Sequence, residues 1–224
     1  MGSLAERANA ITSAPTSGDP VDAAWGAPLG ELRRWLDDRG VALPAMMTEV
    51  APAHVDSAVD SGARLLVLRS DPAEELHSRA VVAVLTGAEP NALVPQPAGM
   101  PDATWMQQVI AVRDAAADVR AHLGDPEALV GSSATLTAMT EALVTACIRC
   151  TPVLLEGLTA WTAALAADRL SFRAKTWWFG AGSSSDPAIS AAALRIGIPT
   201  GLDLRLPTES VIGARVHAAV TNVD

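Results

Sequence analysis

Hydrophobic and polar residues in the second half of the chain predict a series of strand–helix units. The first unit begins with the apolar run Pro152–Leu155, which ends at Glu156 and Gly157. An alanine- and leucine-rich stretch follows over Leu158–Leu170. A short, continuous apolar run is typical of a parallel strand that is buried on both faces. We therefore expect a strand, a turn and a helix in this order.

Two further units follow the same pattern. The second has a strand over Ala174–Phe179, a glycine- and serine-rich turn over Gly180–Ser185 and a helix over Asp186–Ile196. The third has a strand over Gly201–Leu206 that meets Pro207–Ser210. Because the connections are short, we expect the strands to pair in one mostly parallel sheet. The segments expected to pair are Leu65–Leu68, Val153–Leu155, Lys175–Trp178 and Leu202–Leu204.

The predicted fold class is α/β, with a mostly parallel, Rossmann-like sheet and helices on both faces. Between the first strand and the later units, Trp105–Leu123 has apolar positions at helical spacing. A second helical pattern covers Leu136–Cys150, and Gly131–Ser133 suits its cap. These helices are long enough to cover a sheet of this size.

Three regions are predicted along the chain. Residues 1–20 mix Ser, Thr, Pro, Gly and Asp, which is typical of a flexible arm or of a short helix leading into one. Residues 21–45 form a small helical appendage, since Leu29, Leu32 and Leu36 recur at helical spacing. Residues 46–224 form the α/β domain.

Charge and hydropathy exclude several classes of protein. The chain of 224 residues has a formal net charge of −9 and no basic cluster in its sequence, whereas a general nucleic-acid binder needs a basic surface. It has no apolar run of about 18 residues or more, so no membrane helix is expected. The N-terminal residues lack the apolar core of a signal peptide, and a cytoplasmic location is therefore expected.

The cysteines and histidines give little support for a metal site or a cofactor. Cys147 and Cys150 are the only cysteines, and they lie inside a helical pattern, which favours a structural role over a redox pair or half of a zinc site. The histidines are scattered, without partners at helical spacing. No metal and no cofactor are expected. The four histidines are His54, His77, His122 and His217.

Candidate site residues follow the predicted strands. Ligands of open α/β sheets bind at the carboxyl ends of the strands. We therefore expect Glu156, Ser184, Asp186 and Glu209 to face one crevice. Helix capping explains Ser184 and Asp186 equally well, and Glu156 is as compatible with a structural role as with contact to a substrate.

Two further segments are candidates for binding an anion. Backbone N–H groups at glycine-rich turns and at helix N-termini bind phosphate. Gly99 lies in a proline-rich loop, and Ser132 and Ser133 precede a predicted helix. A plain helix cap remains the favoured alternative for the two serines.

Six segments of the chain show a resemblance to a known family. They are Thr86–Pro90, Val112–Ala115, Thr151–Gly157, Trp177–Trp178, Ser184–Pro187 and Leu202–Leu206. Together they resemble the C-terminal half of the nicotinate-nucleotide–dimethylbenzimidazole phosphoribosyltransferases. The resemblance implies the fold of that family, an enzyme that makes the lower-ligand nucleotide of cobalamin, a small nucleotide or aromatic base as ligand, and a homodimer.

The resemblance also implies a catalytic base. In the family, a carboxylate in a Gly-Glu-Gly-Thr-Gly motif after a Leu-Arg-Leu strand takes the proton from the attacking benzimidazole nitrogen. Here Leu204-Arg205-Leu206 is followed by Pro207-Thr208-Glu209. Glu209 matches the base if one residue is inserted, and Thr208 takes its position in ungapped register. A charged helix start is the alternative role of Glu209.

The sequence departs from the family pattern in its loops. The loop that follows Leu68 has no glycine, and Gly182 and Ile189 stand where the family has histidines. Two functions therefore remain open. One is a phosphoribosyltransferase-like protein of cobalamin lower-ligand synthesis whose catalysis is impaired when it acts alone. The other is a non-catalytic homologue that binds a small ligand or serves as a partner or regulatory subunit.

Overall fold

Four parallel strands form the sheet at the centre of the fold. The computed structural model describes residues 3–9, 32, 34–41, 47–69, 74–181 and 185–198. Within these residues the strands pair in sequence order, β1-β2-β3-β4, and every pair is parallel. This confirms the predicted parallel sheet. The strands are β1 (Met47–Glu49), β2 (Leu65–Arg69), β3 (Val153–Glu156) and β4 (Trp178–Gly180).

The strand predicted over Ala174–Phe179 is wrong in its first part. A 3-10 helix covers Ala174–Trp177, and the strand begins only at Trp178. Ala174 and Trp177 are buried in the 3-10 helix, whereas Lys175 and Thr176 between them are partly exposed. Buried residues three positions apart fit a 3-10 helix, which has three residues per turn. The strand predicted over Leu202–Leu204 lies outside the described residues.

Helices make up most of the described chain. The helix predicted over Leu158–Leu170 has those bounds, and the helix predicted to end at Ile196 also ends there. The helix predicted over Trp105–Leu123 begins and ends three residues earlier, at Asp102 and Arg120. The helices are α1 (Leu4–Asn9), α2 (Val55–Asp60), α3 (Glu75–Thr86), α4 (Pro90–Leu93), α5 (Asp102–Arg120), α6 (Pro126–Val130), α7 (Ala134–Ile148), α8 (Leu158–Leu170) and α9 (Pro187–Ile196), with a further 3-10 helix at Pro52–His54.

One face of the sheet packs against most of these helices. Alternate residues of a strand point to opposite faces. Leu66, Leu68, Val153, Leu155 and Trp178 belong to the same buried cluster as apolar residues of α2 to α9. Strands that pair in sequence order are connected in one direction across the sheet, and right-handed connections then place their helices on the same face. The second face of the sheet is buried by a different part of the chain.

An N-terminal segment, residues 32 and 34–41, covers this second face. Its apolar side chains form a second buried cluster with the strand residues of the other face. The rings of Trp35 and Phe179 have centroids 5.2 Å apart. The members of this cluster are Leu32, Trp35, Leu36, Val41, Leu65, Val67, Leu154, Phe179 and Ala181.

Arg39 fixes the N-terminal segment to the entry of β4. Its guanidinium donates hydrogen bonds to the carbonyl oxygens of Thr176 and Trp35, each at 2.6 Å, and stacks on the Trp35 ring at 4.2 Å from the centroid. Burial lowers the pKa of Arg39 to about 10. Gly40, with a φ of +71°, has the left-handed backbone typical of a helix end.

The first described helix, α1, packs on two helices of the fold, α7 and α8. Its Arg7 donates a 2.9 Å hydrogen bond to the Thr145 hydroxyl. The three regions predicted along the chain remain a prediction. No described helix is both long and apolar enough to cross a membrane.

Candidate functional site

Strands β2 and β3 end in an ion pair. Arg69 and Glu156 are paired in the sheet register, and both Nε and Nη2 of Arg69 lie 3.3 Å from Oε2 of Glu156. Glu156 is 3% exposed, whereas the Arg69 side chain is 39% exposed. A buried carboxylate needs such a partner because burial in a low dielectric penalises its charge. The predicted site residue Glu156 therefore has a structural partner.

Gly157 allows β3 to turn directly into α8. Its backbone has φ +86° and ψ 165°. This region of backbone conformation is accessible almost only to glycine. The turn places the start of α8 immediately after Glu156, at the carboxyl edge of the sheet.

Asp186 joins the start of α9 to the second turn of α3. Its carboxylate caps α9 by accepting a 2.8 Å hydrogen bond from the backbone N–H of Ala188. It also accepts two hydrogen bonds from Arg79, at 2.8 and 2.6 Å. A third Arg79 hydrogen bond, of 2.8 Å, reaches the carbonyl oxygen of Leu93. Asp186 thus acts both as a helix cap and as the partner of a buried arginine.

The Arg79 guanidinium is stabilised in its charged form. Burial lowers the pKa of this group, but its hydrogen bonds and ion pairs with Asp186 and Glu75 outweigh burial, so the pKa is raised. Only 8% of the Arg79 side chain is exposed. The pair is bidentate, which is the strongest geometry between guanidinium and carboxylate.

Ser133 caps α7, as the alternative prediction for this residue proposed. Its hydroxyl accepts a hydrogen bond from the backbone N–H of Leu136 at 3.3 Å and donates one to Glu74 at 3.1 Å. Thr135 donates to the other oxygen of Glu74 at 3.4 Å. The hydroxyl groups at this helix start therefore already donate hydrogen bonds to a carboxylate of the protein itself.

Ser132 contacts a histidine beside this cap. Its hydroxyl donates a 2.6 Å hydrogen bond to the carbonyl oxygen of Leu129, so His77 Nε2, 3.0 Å away, has to be the donor to Ser132. Burial lowers the pKa of His77, and the negative charge of Glu74 offsets only part of this effect.

A cavity of about 930 Å³ lies between α3, α5, the loop that follows α4 and the start of α9. Gly99, with a φ of +88°, turns this loop between two residues of the lining, Pro97 and Met100. Ser185 and Pro187 line the cavity on either side of Asp186. The polar side chains of the lining are Glu75, Arg79, Gln96, Gln108 and Ser185.

The structure brings some of the predicted site residues together and separates others. The Gly99 loop and the Asp186 segment meet at the cavity. The lining does not include Ser132, Ser133 or Glu156. The first two turns of α3 nevertheless contact Ser132 through His77 and Asp186 through Arg79. Ser184 and Glu209 lie outside the described residues.

Sequence reasoning missed four polar residues at the start of α3. Arg79 had a signal, because it directly precedes the apolar run Ala80–Val84 and an arginine in a buried helix requires a carboxylate partner. Glu75 is four residues from Arg79, the spacing of an ion pair on one helix face. Glu74 and His77 had no such signal, because their partners lie more than 50 residues away in sequence. The four residues are Glu74, Glu75, His77 and Arg79.

The described part of the site carries more negative than positive groups. Four carboxylates face two guanidiniums, and each guanidinium is in an ion pair with at least one of them. A bound phosphate would have to compete with these carboxylates. No group of three or more metal-ligating side chains is arranged to hold a metal ion in the described part of the chain. The carboxylates are Glu74, Glu75, Glu156 and Asp186, and the guanidiniums are Arg69 and Arg79.

Comparison with known proteins identifies the family. The family described as "Phosphoribosyltransferase" matches residues 45–222, which is most of the chain. The chain belongs to this phosphoribosyltransferase family. The resemblance seen in the sequence is thereby confirmed.

Two relatives of this chain carry the same enzyme name. A nicotinate-nucleotide–dimethylbenzimidazole phosphoribosyltransferase of Mycobacterium leprae is 32% identical over 225 residues, which cover 96% of this chain and 63% of the relative. The protein of the same name in Mycobacterium tuberculosis is 38% identical over 168 residues, covering 74% of this chain and 46% of the relative. The chain thus spans less than two thirds of the length of these relatives.

A solved structure shows the same fold. CobT from Thermus thermophilus superimposes with a TM-score of 0.62 at 20% sequence identity, covering 87% of this chain and 56% of that chain. This confirms the α/β fold class predicted from the sequence.

Proposed function

We propose that this member of the phosphoribosyltransferase family binds an aromatic base or a nucleotide of cobalamin lower-ligand synthesis. The binding site is the cavity between α3, α5 and α9. The observation that supports the proposal is the position of this cavity beside the N-termini of α3 and α9, which follow the carboxyl ends of β2 and β4. Ligands of open α/β sheets bind at this edge. The mixed lining of glutamines and apolar side chains suits a planar heterocycle.

We further propose that transfer from nicotinate mononucleotide to dimethylbenzimidazole is absent or very weak for this chain alone. A general base accelerates a reaction by roughly 10²- to 10⁴-fold. Positioning of the two reactants accounts for about 7–11 kcal/mol of a barrier. Proline at position 97 removes a backbone N–H donor from the cavity loop. Ion pairing also commits Arg69 and Arg79 to carboxylates, which leaves a substrate phosphate poorly held.

The decisive test combines a binding and a turnover measurement on the purified chain. We expect calorimetry to detect binding of dimethylbenzimidazole or nicotinate mononucleotide. Gln108→Leu should weaken this binding and Gln107→Leu should leave it unchanged, because Gln108 lines the cavity and its neighbour does not. Product formation should be at trace level in the native chain and in Glu209→Gln.

Two outcomes would contradict these proposals separately. Robust turnover that disappears in Glu209→Gln would show that Glu209 is a working catalytic base and that the loops position the substrates adequately. Failure of both compounds to bind would refute the proposed ligand class. Equal binding by Gln107→Leu and Gln108→Leu would show that the ligand does not bind in this cavity.

A second proposal concerns assembly. The side chains of Leu76, Met106 and Ile110 are between 41% and 48% exposed. Leu76 lines the cavity, and the other two lie on α5, whose side chains also line it. Their exposure favours the predicted homodimer, because an apolar surface beside a cavity is stabilised by a second copy. Light scattering at micromolar concentration should give the mass of a dimer, and the mass of a monomer would reject this proposal.

A further inference from the structure

The fold gathers cations at the end of α8 and α9 that lies away from the candidate site. Although the sequence has no basic cluster, residues from two helices and one connection meet at this end of the molecule. Arg169 and Arg195 lie in the last turns of α8 and α9, and Arg173 and Lys175 lie in the connection between α8 and β4. We define the basic patch as Arg169, Phe172, Arg173, Lys175, Leu194 and Arg195.

Direct contacts hold the basic patch together. Lys175 Nζ donates a 3.3 Å hydrogen bond to the carbonyl oxygen of Ile196, which ties the connection to the end of α9. The Arg173 guanidinium lies over the Phe172 ring at 6.0 Å from the centroid. Asp168, beneath the patch, interacts electrostatically with Lys175 and two of the arginines, and its own pKa is raised by burial.

The helix dipoles explain only part of the basic patch. Cations are favourable in the last turn of a helix, which accounts for Arg169 and Arg195. The same effect does not account for Arg173 and Lys175, which lie outside helices α8 and α9. Among the described residues, no carboxylate lies within ion-pair distance of any of the four cations. The patch therefore carries excess positive charge in a chain whose net charge is −9.

Two large apolar side chains directly precede Arg173 and Arg195 in the sequence. Phe172 is 68% exposed and Leu194 is 87% exposed. They are the most exposed large apolar side chains among the described residues. Arginine and aromatic side chains are enriched at the core of protein interfaces.

We propose that the basic patch binds an acidic protein segment that carries an apolar side chain between its carboxylates. Three of the four cations are arginines, and guanidinium matches carboxylate in a bidentate geometry. An anionic membrane is the alternative partner, and the test below distinguishes the two. This inference is independent of the proposed ligand and of the activity.

The test uses a fluorescein-labelled, N-terminally blocked peptide, Glu-Glu-Leu-Glu-Glu-Phe-Glu-Glu, and the full chain. We expect fluorescence anisotropy to show binding that weakens with added salt. The double variant Arg173→Glu and Arg195→Glu should weaken the affinity by about tenfold or more. The control variant Arg113→Glu and Arg120→Glu, on the exposed side of α5, changes the net charge equally and should bind as the native chain does.

Lys175 provides a second readout, because it is the only lysine of the chain. A carbodiimide joins a carboxylate directly to an amine, so the peptide should be cross-linked at Lys175. Lys175→Arg should abolish this product while anisotropy still detects binding, since the variant keeps the charge. Equal affinity loss in both double variants would overturn the proposal. Binding to phosphatidylglycerol vesicles without binding to the peptide would also overturn it.

Discussion

Replacing Arg79 with methionine is expected to lower the free energy of unfolding by about 3 kcal/mol, the cost of removing one partner from a buried ion pair. The variant leaves the Asp186 carboxylate, 19% exposed, without the guanidinium. It also removes the donor to the Leu93 carbonyl oxygen. Urea denaturation followed by circular dichroism measures the change.

Arg113→Met is the matched control for this substitution. Arg113 forms an ion pair with Asp114 at 2.8 Å, but the two side chains are 65% and 63% exposed. Exposed ion pairs contribute at most about 1 kcal/mol, because water and salt screen the charges. Similar destabilisation in both variants would show that the Arg79–Asp186 pair does not connect α3 and α9 in the way the structure implies.

Phe179→Ala is expected to lower the free energy of unfolding by about 3–5 kcal/mol, at least as much as Arg79→Met. Phe179 is fully buried on the sheet face that the N-terminal segment covers, where it contacts Trp35. Truncation to alanine removes apolar contacts and leaves a cavity that the rigid strand cannot fill. The measurement is again the free energy of unfolding from urea denaturation.

The same substitution at an exposed phenylalanine provides the comparison. Phe172→Ala should change the free energy of unfolding by no more than about 0.5 kcal/mol, since Phe172 is 68% exposed. A small loss at Phe179 would mean that the N-terminal segment separates from the sheet in solution. The second face of the sheet would then be open to water.

The fold was largely predictable from the sequence wherever the pattern of apolar and polar residues extended over many positions. The helix at Leu158–Leu170 has a cap region, thirteen regular residues and a clear end, and its bounds were predicted correctly. The four residues before Trp178, Ala174–Trp177, include Lys175 and Thr176 and were too few to distinguish a 3-10 helix from a strand. Strand β1 was not predicted, because a three-residue strand gives no usable periodicity.

The candidate site was predictable only in its local interactions. Capping by Ser133 and Asp186 depends on residues two or three positions away, so the sequence reveals it. The pairing of Arg79 with Asp186 joins residues 107 positions apart. Such contacts result from the packing of α3 against α9, which no local pattern encodes. The same limit explains why the basic patch was invisible in the sequence.

The attachment of Arg39 to Thr176 has a consequence for the synthesis of the protein. The two residues are 137 positions apart. At roughly 5–20 residues per second, a ribosome needs about 7–27 s to add the intervening chain. During that interval Trp35 and Leu36 have already been made, but Phe179 has not. A nascent chain paused before β4 therefore carries Trp35 and Leu36 without Phe179, one of the residues with which they are buried in the complete fold.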